Sequence, residues 1–139
     1  MLERDMTVID AELPISAVGE TVLVELDENE GFTVHEIHVR APKGEQLVFG
    51  NFSVYFRVEG HDGSQGYAQQ CAAVQTFQLP TGFVVAKVPV LGEPLYAMAR
   101  AVGNGAVRGK IVAVVTAAYG QADKVAKVRI LGYPDDLDA

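Results

Sequence analysis

The chain has 139 residues, 49% of them apolar, a net charge of −7, one cysteine and no tryptophan. That length supports one hydrophobic core, no run of about 18 apolar residues marks a membrane helix, and the single Cys71 excludes an intrachain disulfide. The acidity disfavours nucleic acid and anionic membrane surfaces as partners, because phosphate contacts need clustered Lys and Arg.

Residues 1–14 start without the apolar stretch of a signal peptide, so an unprocessed intracellular product is expected. They carry only a hint of period in Met6, Val8 and Leu13. They read either as an arm laid along a neighbour or as a short edge strand. Glu20–Leu26 reads as a strand with Val22, Val24 and Leu26 inward, and the polar run from Asp27 to Gly31 as a turn. Phe32–Arg40 is the next strand. Phe32 and Val34 share one parity and Ile37 and Val39 the other, which a β-bulge near His35 or Glu36 reconciles.

After a turn at Ala41–Gly44 and a short apolar stretch at Gln46–Phe49, the cleanest alternation in the chain runs over Asn51–Glu59. Phe52, Val54, Phe56 and Val58 point inward there, and Asn51, Ser53, Tyr55, Arg57 and Glu59 outward. A glycine-rich loop, Gly60–Gly66, precedes a strand expected from about Ala72 to Leu79. Phe83–Val90 follows, with Pro89 pushing it toward a sheet edge. Leu95–Val102 and Val107–Ala118 flank Gly103, Asn104 and Gly105, residues that tolerate the positive φ of a tight turn, and so predict a hairpin. The second run is apolar on both faces: Ile111, Ala113, Val115 and Ala117 on one, Val112, Val114, Thr116 and Ala118 on the other. Such a strand is covered twice, by a second sheet and by a terminal arm, a long loop or another subunit. Lys124–Leu131 is the last expected strand, and Gly132–Ala139 an acidic tail.

Eight to nine short strands with Gly/Pro turns and no convincing helix predict an all-β fold, an antiparallel β-sandwich of jelly-roll type. One domain spans residues 1–139, with arms at 1–14 and 132–139.

No residue cluster announces a reaction. His35 and His38 are three apart and leave opposite faces of a regular strand. No further ligands follow at suitable spacing, so they read as surface histidines, with no metal site. His61 and Asp62, with Ser64 nearby, lie in a loop and make no triad without a distant nucleophile. Cys71 has no neighbouring cation to activate it. Tyr55, beside Asn51, Ser53 and Arg57, has the groups to hold a small polar ligand, and an ordinary solvated strand face looks the same.

The layout of Glu20–Ala118, with the stretches Asn51–Arg57 and Leu95–Val102, resembles the jelly-roll cement, or decoration, proteins of tailed bacteriophages, in particular short-tailed ones. The resemblance implies a viral structural protein, not an enzyme, without cofactors. It implies synthesis in the host cytoplasm and a place on the capsid exterior, bridging subunits of the major capsid protein as a homodimer or homotrimer. It includes no motif that transfers single residues. The interface residues chosen are Leu2, Met6 and Val8 at one end, Leu131, Tyr133, Pro134 and Leu137 at the other, and Val112 and Val114 on the doubly apolar strand. The alternatives are a carbohydrate-binding module, a tail or baseplate accessory protein and a cupin-like metal enzyme.

Overall fold

The computed structural model describes residues 6–26, 30–40, 50–61, 66–79, 85–88, 90, 95–96 and 109–136. Among them are nine strands and no helix: β1 (Thr7–Pro14), β2 (Gly19–Glu25), β3 (Glu30–Arg40), β4 (Gly50–His61), β5 (Gly66–Leu79), β6 (Val85–Val88), β7 (Leu95–Tyr96), β8 (Lys110–Ala117) and β9 (Val125–Asp136). All pairing is antiparallel. One sheet has the order β1-β9-β3-β6, with β7 also on β3; the other has β2-β8-β4-β5.

The pairings are nested. β4 pairs with β5, β3 with β6 and β7, β2 with β8, and β1 with β9. The chain is thus one long hairpin rolled up, and the contacts β3–β9 and β4–β8 made by rolling complete the two sheets. This is the jelly roll, an antiparallel β-sandwich.

The alternation of β4 explains its place. Phe52, Val54, Phe56 and Val58 are at most 1% exposed and meet Ile111, Ala113 and Val115 of β8 and Phe77 of β5 in the core. The Phe52 and Phe77 rings stack at 5.0 Å. From the other sheet come Leu13, Phe32, Val34, Ile37, Val39, Ala126, Val128 and Ile130. Each large apolar side chain so buried contributes roughly 1.5–3 kcal/mol of transfer free energy.

Two bulges decide the faces. The β3–β9 register shifts between Val34 and Glu36, so His35 is the extra residue and Val34 and Ile37 both face inward, as the parity conflict in the sequence required. The β2–β8 register shifts between Val22 and Val24. The extra Leu23 turns Val22 outward, where it is half-exposed, while Val24 and Leu26 keep their inward side. The expectation that Val22 is inward fails for that reason.

Three further expectations change. Residues 132–136 are not an arm: they continue β9 and pair with Glu30–Val34. Residues 7–14 take the edge-strand alternative, paired along their whole length with Val125–Gly132. Leu95 and Tyr96 pair with Phe32 and Gly31 of β3, in the sheet opposite β8, because a rolled hairpin sends these neighbours to different layers; the turn at 103–105 lies outside the described residues.

The crossing from β1 to β2 is fastened to the crossing from β8 to β9. The Ile15 N–H donates to the Lys124 carbonyl at 3.1 Å, and the Tyr119 N–H to the Ile15 carbonyl at 2.8 Å. Ser16 Oγ donates to the Gln121 carbonyl at 2.6 Å and accepts from the Lys124 N–H at 2.9 Å. Ile15 and Tyr119 are buried beneath this tie, so backbone groups removed from water at the corner are satisfied.

Gly132 sits where β1, β9 and β3 come together. A Cβ there falls 2.1 Å from the Thr33 carbonyl oxygen and 2.5 Å from the Phe32 ring. Only glycine permits that approach. Gly132→Ala is expected to lower stability by about 3 kcal/mol, since backbone has to move. Gly120→Ala, where an added Cβ meets nothing within 4 Å, is expected to stay within about 0.5 kcal/mol. Urea unfolding of both variants checks the contrast.

Candidate interaction surfaces

The outer face of the β2-β8-β4-β5 sheet is organised by Arg57. It stands on β4 directly opposite Val112 of β8, and Glu20 stands on β2, beyond β8. Arg57 Nη1 donates to Glu20 Oε1 at 2.7 Å, so the side chain crosses the outer face of β8. Its Nε donates to Glu59 Oε2 at 2.7 Å, and Nη2 reaches the same oxygen. Val112, under this span, is 2% exposed, and Val114 is half-buried. On this outer face of β8 Val112 alone is buried, beneath an arginine whose charge is neutralised from both sides, while Val114 and Ala118 are half-buried and Thr116 is exposed. The hydrogen bonds that Arg57 donates to Glu20 and then to Glu59 raise its pKa, and the same guanidinium holds the Glu20 carboxyl below its ordinary value.

The outer face of the other sheet carries three cross-strand rows. Val8 of β1 lies opposite Leu131 of β9, which lies opposite Glu36 of β3; Asp10, Arg129 and His38 form the second row; Glu12, Lys127 and Arg40 the third. In the second and third rows an acidic residue thus stands on the edge strand and basic ones on the strands behind it. Arg129 Nε donates to Asp10 Oδ1 at 2.8 Å, and that hydrogen bond lowers the Asp10 pKa. Asp10, Glu12, His38, Arg40, Lys127 and Arg129 line an open depression of about 460 Å³.

The bulge at His35 brings both histidines to Glu36. His38 Nε2 is 3.0 Å from Glu36 Oε2, and His35 Nε2 is 4.0 Å from Glu36 Oε1. The His35 ring also meets Tyr133 edge-on at 6.1 Å. Among the described residues, no group of three His, Cys, Asp or Glu side chains is placed to hold a metal ion. Burial pushes the Cys71 thiol up to about 11, which keeps it protonated near neutral pH and unreactive. Tyr55 and Tyr133 are each half-buried and lie on different sheets, and Tyr119 is buried, so these three make no joint aromatic platform. Asp62 and Ser64 lie outside the described residues, as do the side chains of His61, Tyr67 and Tyr96.

The interface residues chosen from sequence do not form one surface. Val8 and Leu131 are cross-strand partners on the outer face of one sheet, with Tyr133 and Pro134 further along β9 and Met6 just before β1. Val112 and Val114 lie on the other sheet, at the opposite side of the sandwich, and Val112 is not accessible. Leu2 and Leu137 lie outside the described residues. Sequence reasoning missed the Arg57 clamp. Arg57 and Glu59 share a face by simple alternation, and that much was visible. Glu20 joins them only through the strand order.

No protein-family model matches the chain, and no curated protein matches it. Among solved structures, a chain of the acidic stable capsid structure of Helicobacter pylori bacteriophage KHP30 has a similar fold. The TM-score is 0.55 at 12% identity, over 94% of this chain and 90% of that one. The likeness is one of fold, running nearly end to end through both chains.

Arg57→Ala uncovers Val112 and leaves two carboxylates without their counter-ion. It is expected to cost about 1 kcal/mol, with Arg57→Lys between it and wild type. Acid adds a second readout. Asp10 and Glu20 have lowered native pKa values, so their contribution is fully present above the ordinary carboxylate range, about pH 4. It is lost as pH falls through the native values. An Asp10→Asn, Glu20→Gln double variant is therefore expected to lose less stability than wild type on acidification, measured by urea midpoints across that range.

Proposed function

We propose that this chain is a structural protein of a bacteriophage virion, placed on the capsid exterior, where it cements neighbouring subunits of the major capsid protein. The observation that carries this reading is the nearly end-to-end fold likeness to a chain of a phage capsid structure. The surface chemistry supports it. Each sheet carries an arginine paired with a carboxylate, and the chain is acidic overall, a balance that discourages adhesion to packaged DNA. The role is non-enzymatic and without cofactor.

A cement of this kind works by linkage. A module that binds only the assembled arrangement of subunits stabilises that arrangement. Modest contacts that bridge subunits gain further through effective concentration. The chain acts as a homodimer in this reading, which doubles the contacts per attachment.

Quantitative mass spectrometry of purified particles tests the role. The expected result is a copy number of the same order as that of the major capsid protein, lost together with shell stability when the gene is deleted. Absence from particles contradicts a virion role. A few copies confined to detached tails contradict cementing and favour a tail or baseplate accessory role. Light scattering behind size exclusion tests the homodimer, which a monomeric mass at all concentrations refutes.

A further inference from the structure

We propose that the outer edge of β1 is a strand-acceptor site, pairing through backbone hydrogen bonds with an extended, Lys- or Arg-bearing segment of the shell subunit. The source of that segment rests on the capsid reading above; the site itself rests on the edge.

β1 ends its sheet, and its eight residues stay in register with β9 without a shift. The other edges are blunted. β2 is bulged against β8, β5 stands in a register that shifts twice against β4, and β6 has four residues. Bulges, short strands and inward-pointing charges are what keep sheet edges from recruiting new strands. β1 has no bulge, its inward positions Ile9, Ala11 and Leu13 carry no charge, and its proline comes only at the last position, Pro14. Among the described residues, no strand pairs with its outer edge. Met6 and Val8, at 39% and 50% exposure, lie at the start of this edge.

Charge selects the occupant. The outward side chains of β1 include Asp10 and Glu12, with Arg129 and Lys127 behind them on β9. Another strand continues that acid–base alternation if its outward positions are cationic. A second copy docked antiparallel about Ala11 instead sets each Asp10 against the Glu12 of the other copy, and these repel. Main-chain bonds supply the affinity in such strand addition, and the alternate side chains supply the selectivity.

Hydrogen exchange of the full chain, free and bound to shells assembled from the major capsid protein of the same virus, tests this. The expected result is that β1 amides not bonded to β9 exchange fast in the free chain and become protected on the shell. Glu12→Gln, which removes the charge at an exposed position without setting a cation against Lys127, is expected to weaken shell binding about threefold with a melting temperature close to wild type. A chain that binds with unchanged β1 exchange overturns the strand-acceptor site and leaves the capsid reading standing. A chain that does not bind overturns both. Protection of β1 that appears in the free chain as its concentration rises overturns the cationic partner in favour of self-pairing.

Discussion

The structure depends on the insertion of its last strand into the middle of a sheet. β9 lies between β1, the first strand, and β3, so the sheet cannot form until both ends of the chain are together. Two local features make the insertion possible. Gly132 lets β9 approach the Thr33 carbonyl and the Phe32 ring, where any side chain collides. Ser16 and Ile15 bind the β8–β9 connection to the β1–β2 corner, which fixes where β9 begins. Residues far apart in sequence must meet before either tie forms, and such non-local pairing is slow to assemble. The same closure leaves neither terminal strand loose.

Each outer face carries an ion-paired arginine beside exposed apolar side chains such as Val8 and Val22. On one sheet, Arg57 reaches over β8 to Glu20 and back to Glu59. On the other, acidic β1 faces basic β9. Exposed ion pairs of this sort contribute little each to stability, but they keep the broad faces wet and selective. The outer edge of β1, which no described strand pairs with, still has backbone groups to offer.

The fold was legible where apolar side chains alternate without interruption. Asn51–Glu59 declared both its strand and its buried face, and the clash of parity between Val34 and Ile37 located the bulge at His35. The bulge at Leu23 left no such clash, since Val22, Val24 and Leu26 already alternate; only the pairing with β8 shows that Val22 has turned outward. Gly132–Asp136 read as a tail because Asp135 and Asp136 look like solvated ends, whereas their backbone pairs with Glu30 and Gly31. The doubly apolar β8 led to the expectation of a second cover by an arm, a loop or another subunit, whereas among the described residues the only such cover lies over Val112, with Thr116 exposed. The identity of that cover as Arg57 was hidden because a charged residue on an outward position looks the same whether it faces water or spans a neighbour. The candidate interface residues, chosen as apolar by type, lie on both sides of the sandwich, since residue type says nothing about which side a side chain occupies.

The most direct test is electron cryomicroscopy of the capsid with and without this chain. The account predicts sandwich-shaped density on the outer surface of the shell, bridging neighbouring major capsid subunits and absent when the chain is omitted. Density confined to the tail, or an outer surface identical in the two maps, would contradict it.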